Sequence, residues 1–251
     1  TLANSGTSAT LPAGWVLLET GTSGAVDQQY AAGTGSSNAG NVYSLGVAVS
    51  TERAFGGLQS GTLVPTIGAA FTNNTGTTIN SLAISYTGEQ WRLGTVARAD
   101  KIQFQYSTDA TSLATGTWTS VTELDFSTPN TAGLAGALDG NAAANRTAVS
   151  FTMTGLSISP GVTFFIRWSD FNASGADDAL AVDDFSLTPL GTAPITPNLT
   201  ISDVTAAEGN VGTTNFNFTV FLSSVAGAGG VTFDIATADN TATLANSDYQ
   251  Q

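Results

Sequence analysis

The 251-residue chain contains no cysteine and no histidine, and only six lysines and arginines against nineteen acids. Without cysteine there are no disulfides, and without either residue there is no Cys/His zinc site. Ser-His-Asp and Cys-His nucleophile systems fall with them. The formal net charge of −13 leaves no basic face with which to displace counterions from phosphates, so nucleic acid is excluded as a partner. An anionic membrane surface would repel the chain for the same reason. No run of about 18 apolar residues occurs, so membrane insertion by a helix is not expected. The chain also opens without a basic and then apolar leader, and its start reads as processed or internal. A low charge content with abundant Thr, Ser, Gly and Asn suits a secreted or cell-surface bacterial protein.

What is present is β-sheet patterning. Ile102, Phe104 and Tyr106 alternate with Gln103, Gln105 and Ser107, the signature of a half-buried strand. Leu82, Ile84 and Tyr86 alternate in the same way, as do Val149, Phe151 and Met153. The run 162–168 is almost wholly apolar, as in a strand covered on both faces. About ten short strands and no credible helix predict an all-β protein, with residues 1–188 forming a jelly-roll β-sandwich. Residues 189–198 hold three of the seven prolines and read as a stiff linker. Beyond them, 199–204, 215–222 and 231–236 read as strands. So few strands leave edges unpaired, so 199–251 is expected to be an incomplete Ig-like sandwich, finished by further chain or by a partner.

The acids concentrate in 166–187, IRWSDFNASGADDALAVDDFSL, where five fall within fifteen positions. Asp170, Asn172 and Ser174 place side-chain oxygens at alternate positions before Gly175, as a loop does when it wraps a hard cation. Ala181 stands where an EF-hand has its bidentate carboxylate, and Asp177 and Asp178 supply acids instead. Asp183 and Asp184 follow inside an apolar strand, where adjacent charges are costly unless paired or hydrogen-bonded. The stretch is read as a Ca2+ loop running into a core strand. Its competitor is a solvated acidic turn, with Asp183 or Asp184 bonded to backbone amides.

Residues Ile201-Ser-Asp203, Ala207-Glu208-Gly209, Phe216-Asn-Phe218-Thr-Val220, Ala236-Thr-Ala-Asp239 and Asp248-Tyr249 resemble the first half of a Calx-beta domain, with Asn240 where that family has glycine. The resemblance implies calcium ligands at Glu208, Asp239 and Asp248. Leu11-Pro-Ala-Gly-Trp15, Glu52-Arg53-Ala-Phe-Gly-Gly57, Tyr86-Thr-Gly-Glu89-Gln-Trp91-Arg92, Asp139-Gly-Asn141 and Arg167-Trp168-x-Asp170 through Asp183-Asp184-Phe185 resemble a jelly-roll module of large secreted bacterial surface proteins and extracellular nucleases. The closing Ala-Val-Asp-Asp-Phe is similar to the end of MAM adhesion domains. The resemblance implies a fold and an extracellular setting rather than an activity.

Paired carboxylates are the one catalytic option left, with Glu89 beside Glu19 or Glu52. A structural pairing of Glu89 with Arg92 or Arg53 is the stronger expectation, so no enzyme is expected. Arg167 is a candidate partner for the aspartate loop. Trp118 is the tryptophan best placed to stack on a sugar. The leading expectation is a non-enzymatic, calcium-stabilised structural or adhesive protein that self-associates in a surface layer or filament. The alternative is an accessory, carbohydrate-binding-like module of a larger secreted hydrolase or nuclease.

Overall fold

The computed structural model describes residues 1–191, 197–207, 209–226 and 230–249, in two compact units, Thr1–Ala193 and Pro194–Gln251. In chain order the strands are β1 (Thr7–Ser8), β2 (Trp15–Gly21), β3 (Tyr30–Gly33), β4 (Asn41–Leu45), β5 (Ala54–Leu58), β6 (Leu63–Thr72), β7 (Ile79–Leu93) and β8 (Lys101–Ser107). They continue as β9 (Thr119–Ser120), β10 (Phe126–Ser127), β11 (Gly136–Ala137), β12 (Arg146–Met153), β13 (Thr163–Asp170), β14 (Ala179–Gly191), β15 (Leu199–Ile201) and β16 (Val220–Leu222). The first sheet runs β1-β3-β4-β5-β14-β7-β11, with β12 also on β7; the second runs β10-β8-β13-β6-β2, with β9 on β8. Among the described residues the helical content is two single 3-10 turns, Thr122–Leu124 and Ala143–Asn145.

The sheets face each other across one large core. Leu82, Ile84 and Tyr86 of β7 and Leu180 and Val182 of β14 meet Ile102 and Phe104 of β8 and Phe164, Ile166 and Trp168 of β13. Trp168 is the hub. It stacks on Trp15 at 6.1 Å and takes Phe104, Tyr86 and Phe185 edge-on at 5.2–5.6 Å. Such contacts each add roughly 0.5–1.5 kcal/mol to the burial of the rings.

Both outer faces are also partly roofed. Tyr43, Leu45, Ala54, Leu58, Trp91, Ala179 and Ala181 pack on the far side of the first sheet, and Ala110, Leu113 and Phe165 on that of the second. This is why 179–182 is apolar on both alternating sets: Leu180 and Val182 enter the main core, Ala179 and Ala181 the outer cluster. Gly35 lets the covering loop lie on the sheet, because a Cβ there would meet the Trp91 carbonyl oxygen at 1.8 Å.

Two expectations are corrected. The linker does not begin at residue 189: Pro189, Leu190 and Gly191 extend β14 along β7. The proline is tolerated because β14 has left β5 after Val182, so the side of Pro189 without an N–H faces an open edge. Residues 192–196 lie outside the described set. In the second unit, β15 and β16 pair antiparallel, Leu199 opposite Leu222, so both strands are shorter than expected, and 231–236 forms no strand. Alternation makes one face apolar but does not supply a ladder partner. Phe216, Phe218, Phe221, Phe233 and Ile235 are accordingly exposed.

At the centre of β7, a Cβ on Gly88 would meet the Phe126 ring at 2.3 Å. Gly88→Ala should cost about 1–3 kcal/mol by overpacking, measured as a lower urea midpoint at unchanged m-value.

Candidate functional site

The aspartate-rich loop joins β13 to β14 and packs against the segment entering β8. Asp100, Asp170, Asp177 and Asp178 are all buried. Arg98, about 80 residues before Asp177 and Asp178 in sequence, supplies the counter-charge: its guanidinium lies 3.2 Å from Asp100 and 3.8 Å from both Asp177 and Asp178. Amides complete the arrangement. Asp178 accepts from Gly94 N at 2.6 Å and Gln90 Nε2 at 2.8 Å, Asp177 from Ala173 N at 3.2 Å, and Asp100 from Asp178 N at 2.9 Å. Burial still pushes Asp177 and Asp178 up to about 6. It drives Asp170 well above the ordinary carboxylate range, with Asp100 the next cause. Asp170 accepts from Gln59 N at 2.9 Å through one oxygen, and its other oxygen is buried without a partner.

Asn172 and Ser174 do not join these acids. Both are exposed, because the turn at Gly175 (φ +96°) brings Asp177 back to the Ala173 amide rather than folding 172 and 174 inward. Three carboxylate oxygens within 4.8 Å of one another are found elsewhere, on Glu52, Glu89 and Asp183, and nowhere else among the described residues.

That second group lies on the outer face of the first sheet. Glu89 stands opposite Ala181, and Asp183 opposite Thr87; Ala181 faces the outer cluster, so Glu89 and Asp183 do too. The β14 register then breaks between Asp183 and Ser186, with Asp184 in the left-handed region at φ +49°. The bulge separates the adjacent acids: Asp183 turns toward Glu89, while Asp184 is exposed, with Thr87 Oγ1 donating to it at 3.4 Å. Glu89 is 1% exposed and accepts from Trp91 Nε1 at 2.8 Å. Glu52 accepts from Asn141 Nδ2 at 2.7 Å. Burial pushes Glu89 up to about 7. Burial also raises Asp183 to about 6, and the neighbouring Glu52 and Asp184 carboxylates push it the same way.

The expected pairing of Glu89 with Arg92 or Arg53 is not made. Arg53 donates to Ser44 and to the Val47, Gly33 and Ser44 carbonyls, and Arg92 to the Gly35 and Ser36 carbonyls. Glu19 is likewise not a partner: three amides, Asp27, Gln28 and Val42, hold its buried carboxylate at 3.0–3.2 Å. Arg167 does not reach the aspartate loop. It donates to Gln105 and the Leu113 carbonyl, and its guanidinium covers Trp118 at 3.8 Å. One face of the expected sugar platform is therefore occupied. In the second unit, Asp239 accepts from Leu244 N and Tyr249 Oη, and Asp248 from Thr243 N. Glu208 lies outside the described residues.

Where Asp183 and Asp184 leave the sheet, a cleft of about 220 Å3 opens at one end of the sandwich. Trp15, Phe55 and Phe185 form its walls, and Thr51, Asp183 and Asp184 lie at its lining with Arg53. The sequence marked Asp183 and Asp184 but not this use of Trp15 and Phe185, whose residue types read as core.

Neither a family model nor a curated protein sequence matches the chain, so the Calx-beta and MAM-like resemblances rest on the residues quoted above. Solved structures give likenesses of outline. The enzymatically active domain of bacteriophage CBA120 tailspike protein 4 is similar over 71% of this chain at 8% identity and TM-score 0.36, and the match spans about a fifth (20%) of the tailspike chain. The module TmCBM61, solved with beta-1,4-galactotriose, is similar over 69% of this chain and 88% of its own at 12% identity and TM-score 0.35. A CBM4 structure is similar over 70% and 95% at 14% identity and TM-score 0.31.

The aspartate loop makes stability depend on pH with an unusual sign. Asp177 and Asp178 keep protons in the fold up to about 6 that the unfolded chain releases near 3.8. The folded state binds more protons in that window, so the contribution of these two groups falls as pH rises from about 4 to about 6, and the raised Glu89 and Asp170 carry the decline to higher pH. With chelator present, Tm should be higher at pH 5 than at pH 7, and Asp177→Asn with Asp178→Asn should reduce the difference.

Proposed function

We propose that the jelly-roll unit is a non-enzymatic, extracellular binding module whose ligand is a carbohydrate held in the cleft at the β14 bulge. The observation that carries this is the cleft's lining. Two partly exposed aromatic rings, Trp15 and Phe185, stand beside the carboxylates of Asp183 and Asp184. Sugars present apolar ring faces and rims of hydroxyls, and the partly exposed aromatic surface of Trp15 and Phe185 with adjacent carboxylate acceptors can meet both. The volume suits a monosaccharide unit or a chain end.

A non-enzymatic role is supported by the position of Glu89. Its raised pKa suits a general acid, but at 1% exposure its carboxyl cannot reach a glycosidic oxygen. The extracellular setting is supported by composition and by the module resemblance. Among the described residues no helix is long and apolar enough to cross a membrane.

Asp184→Ala should weaken glycan binding about tenfold or more, the equivalent of losing one hydrogen bond to a charged group. Trp118→Ala should leave binding intact and cost about 0.5–1 kcal/mol of stability through the lost Arg167 contact. Glycan-array screening followed by calorimetric titration checks both. Retained binding in Asp184→Ala and loss in Trp118→Ala would move the site to the other sheet.

A second reading, a self-associating structural or adhesive subunit, is supported by the exposed phenylalanines 216, 218, 221 and 233 of the second unit. It predicts concentration-dependent oligomers of the full chain in sedimentation velocity, and a monomer at every concentration would reject it.

A further inference from the structure

We propose that the cleft at the β14 bulge selects a carbohydrate carrying an ammonium group, as an amino sugar without its N-acetyl cap does. The inference rests on the reading of that cleft as a carbohydrate site and adds the charge of the ligand. Asp183 and Asp184 both lie at the lining, the first half-buried and the second exposed. In a regular strand, adjacent side chains point to opposite faces. Here the register break between Asp183 and Ser186 brings both acids to one opening. The ion pairs among the described residues are made by Arg98 and Lys101, and neither cleft aspartate is in one.

Arg53 is the basic side chain at the lining, and it is committed elsewhere. It is buried. Its Nε donates to Ser44 Oγ at 2.9 Å, its Nη1 to the Val47 carbonyl at 3.2 Å, and its Nη2 to the Gly33 and Ser44 carbonyls. The acid whose charge acts on it is Glu52, outside the cleft. A guanidinium held in this way is not free to turn toward an acidic ligand, nor does it pair with the cleft aspartates. The cleft therefore offers carboxylates without offering a cation.

Three classes of sugar meet this lining differently. A uronic acid or sulfated sugar brings a like charge to Asp183 and Asp184 on a chain already at −13, and is repelled. A neutral sugar gives the carboxylates hydroxyl donors only. An ammonium gives them charge-assisted hydrogen bonds, roughly twice as strong. The aromatic wall serves the same ligand. Trp15 and Phe185 meet edge to face at 5.6 Å. They offer apolar surface to the sugar ring, and their π-faces attract a cation on its rim. Asp183 shows the crowding of negative charge directly: after burial, the Glu52 and Asp184 carboxylates help to hold it up at about 6. A cation seated beside it relieves that repulsion.

The test is calorimetric titration of the full chain at neutral pH. The probes are fully deacetylated chitotriose, its N-acetylated counterpart, cellotriose and trigalacturonate, with spermine as a cation that lacks a sugar ring. The amino sugar is expected to bind roughly tenfold or more tightly than its N-acetylated form. That preference should shrink as salt is raised to about 1 M. Asp184→Asn removes the charge at little cost to the backbone, since asparagine tolerates the left-handed conformation found there (φ +49°). It should bring the ratio of the two affinities toward one, and Asp183→Asn reports in its place if Asp184→Asn fails to fold. Equal affinity for the amino and N-acetylated sugars, a preference unchanged in both variants, or tight binding of trigalacturonate overturns the inference and leaves the carbohydrate reading standing. Spermine binding as tightly as the amino sugar also overturns it, because the cleft would then recognise a cation alone. Binding of none of the sugars overturns the carbohydrate reading and the inference with it.

Discussion

The fold depends on how it accommodates carboxylates taken out of water. A buried carboxylate costs several kcal/mol unless donors or a positive charge face it, and among its described residues this chain buries six acids while owning six basic residues. It meets the constraint in three ways. Glu19 is held by three backbone amides, which also tie β2 in the second sheet to β4 in the first through Val42 N. The aspartate loop is built around Arg98 and amides. The Glu52–Glu89–Asp183 group is held by single side-chain donors, Trp91 to Glu89 and Asn141 to Glu52.

The cleft and the Glu52–Glu89–Asp183 group both trace to one irregularity in β14. The strand enters as a core element, with Leu180 and Val182 inward and Ala179 and Ala181 outward, and keeps that alternation to Asp183. The bulge then shifts the register against β7 before Ser186. Without it, adjacent acids would point to opposite faces and Asp184 would enter the core. With it, Asp183 meets Glu89 and Glu52 outside, Asp184 stands at the cleft rim, and Phe185 returns inward to pack on Trp15 and Trp168. Bulges commonly re-aim side chains in this way at sites.

The sandwich was legible because its strands alternate or run wholly apolar, and the strand expected at 162–168 appears as β13, whose Trp168 is buried 99%. What was not legible was what lies far apart in sequence. Nothing near Asp177 announces Arg98 as its partner, and nothing near Asp183 announces Glu52 or Glu89. The alternating oxygens at 170, 172 and 174 looked like a ligand set, but spacing alone does not set the direction in which a loop folds, and 172 and 174 face water. Trp118 misled for a related reason. Its polar flanks suggested exposure, whereas Arg167 arrives from β13 to cover it.

The four tryptophans, Trp15, Trp91, Trp118 and Trp168, all belong to the first compact unit, and Trp15 and Trp168 lie nearly parallel, 12° apart. Their ultraviolet emission and exciton coupling are therefore optical signals from that unit alone. The molecule carries a built-in label by which the melting of its sandwich can be followed separately from anything the tryptophan-free remainder does.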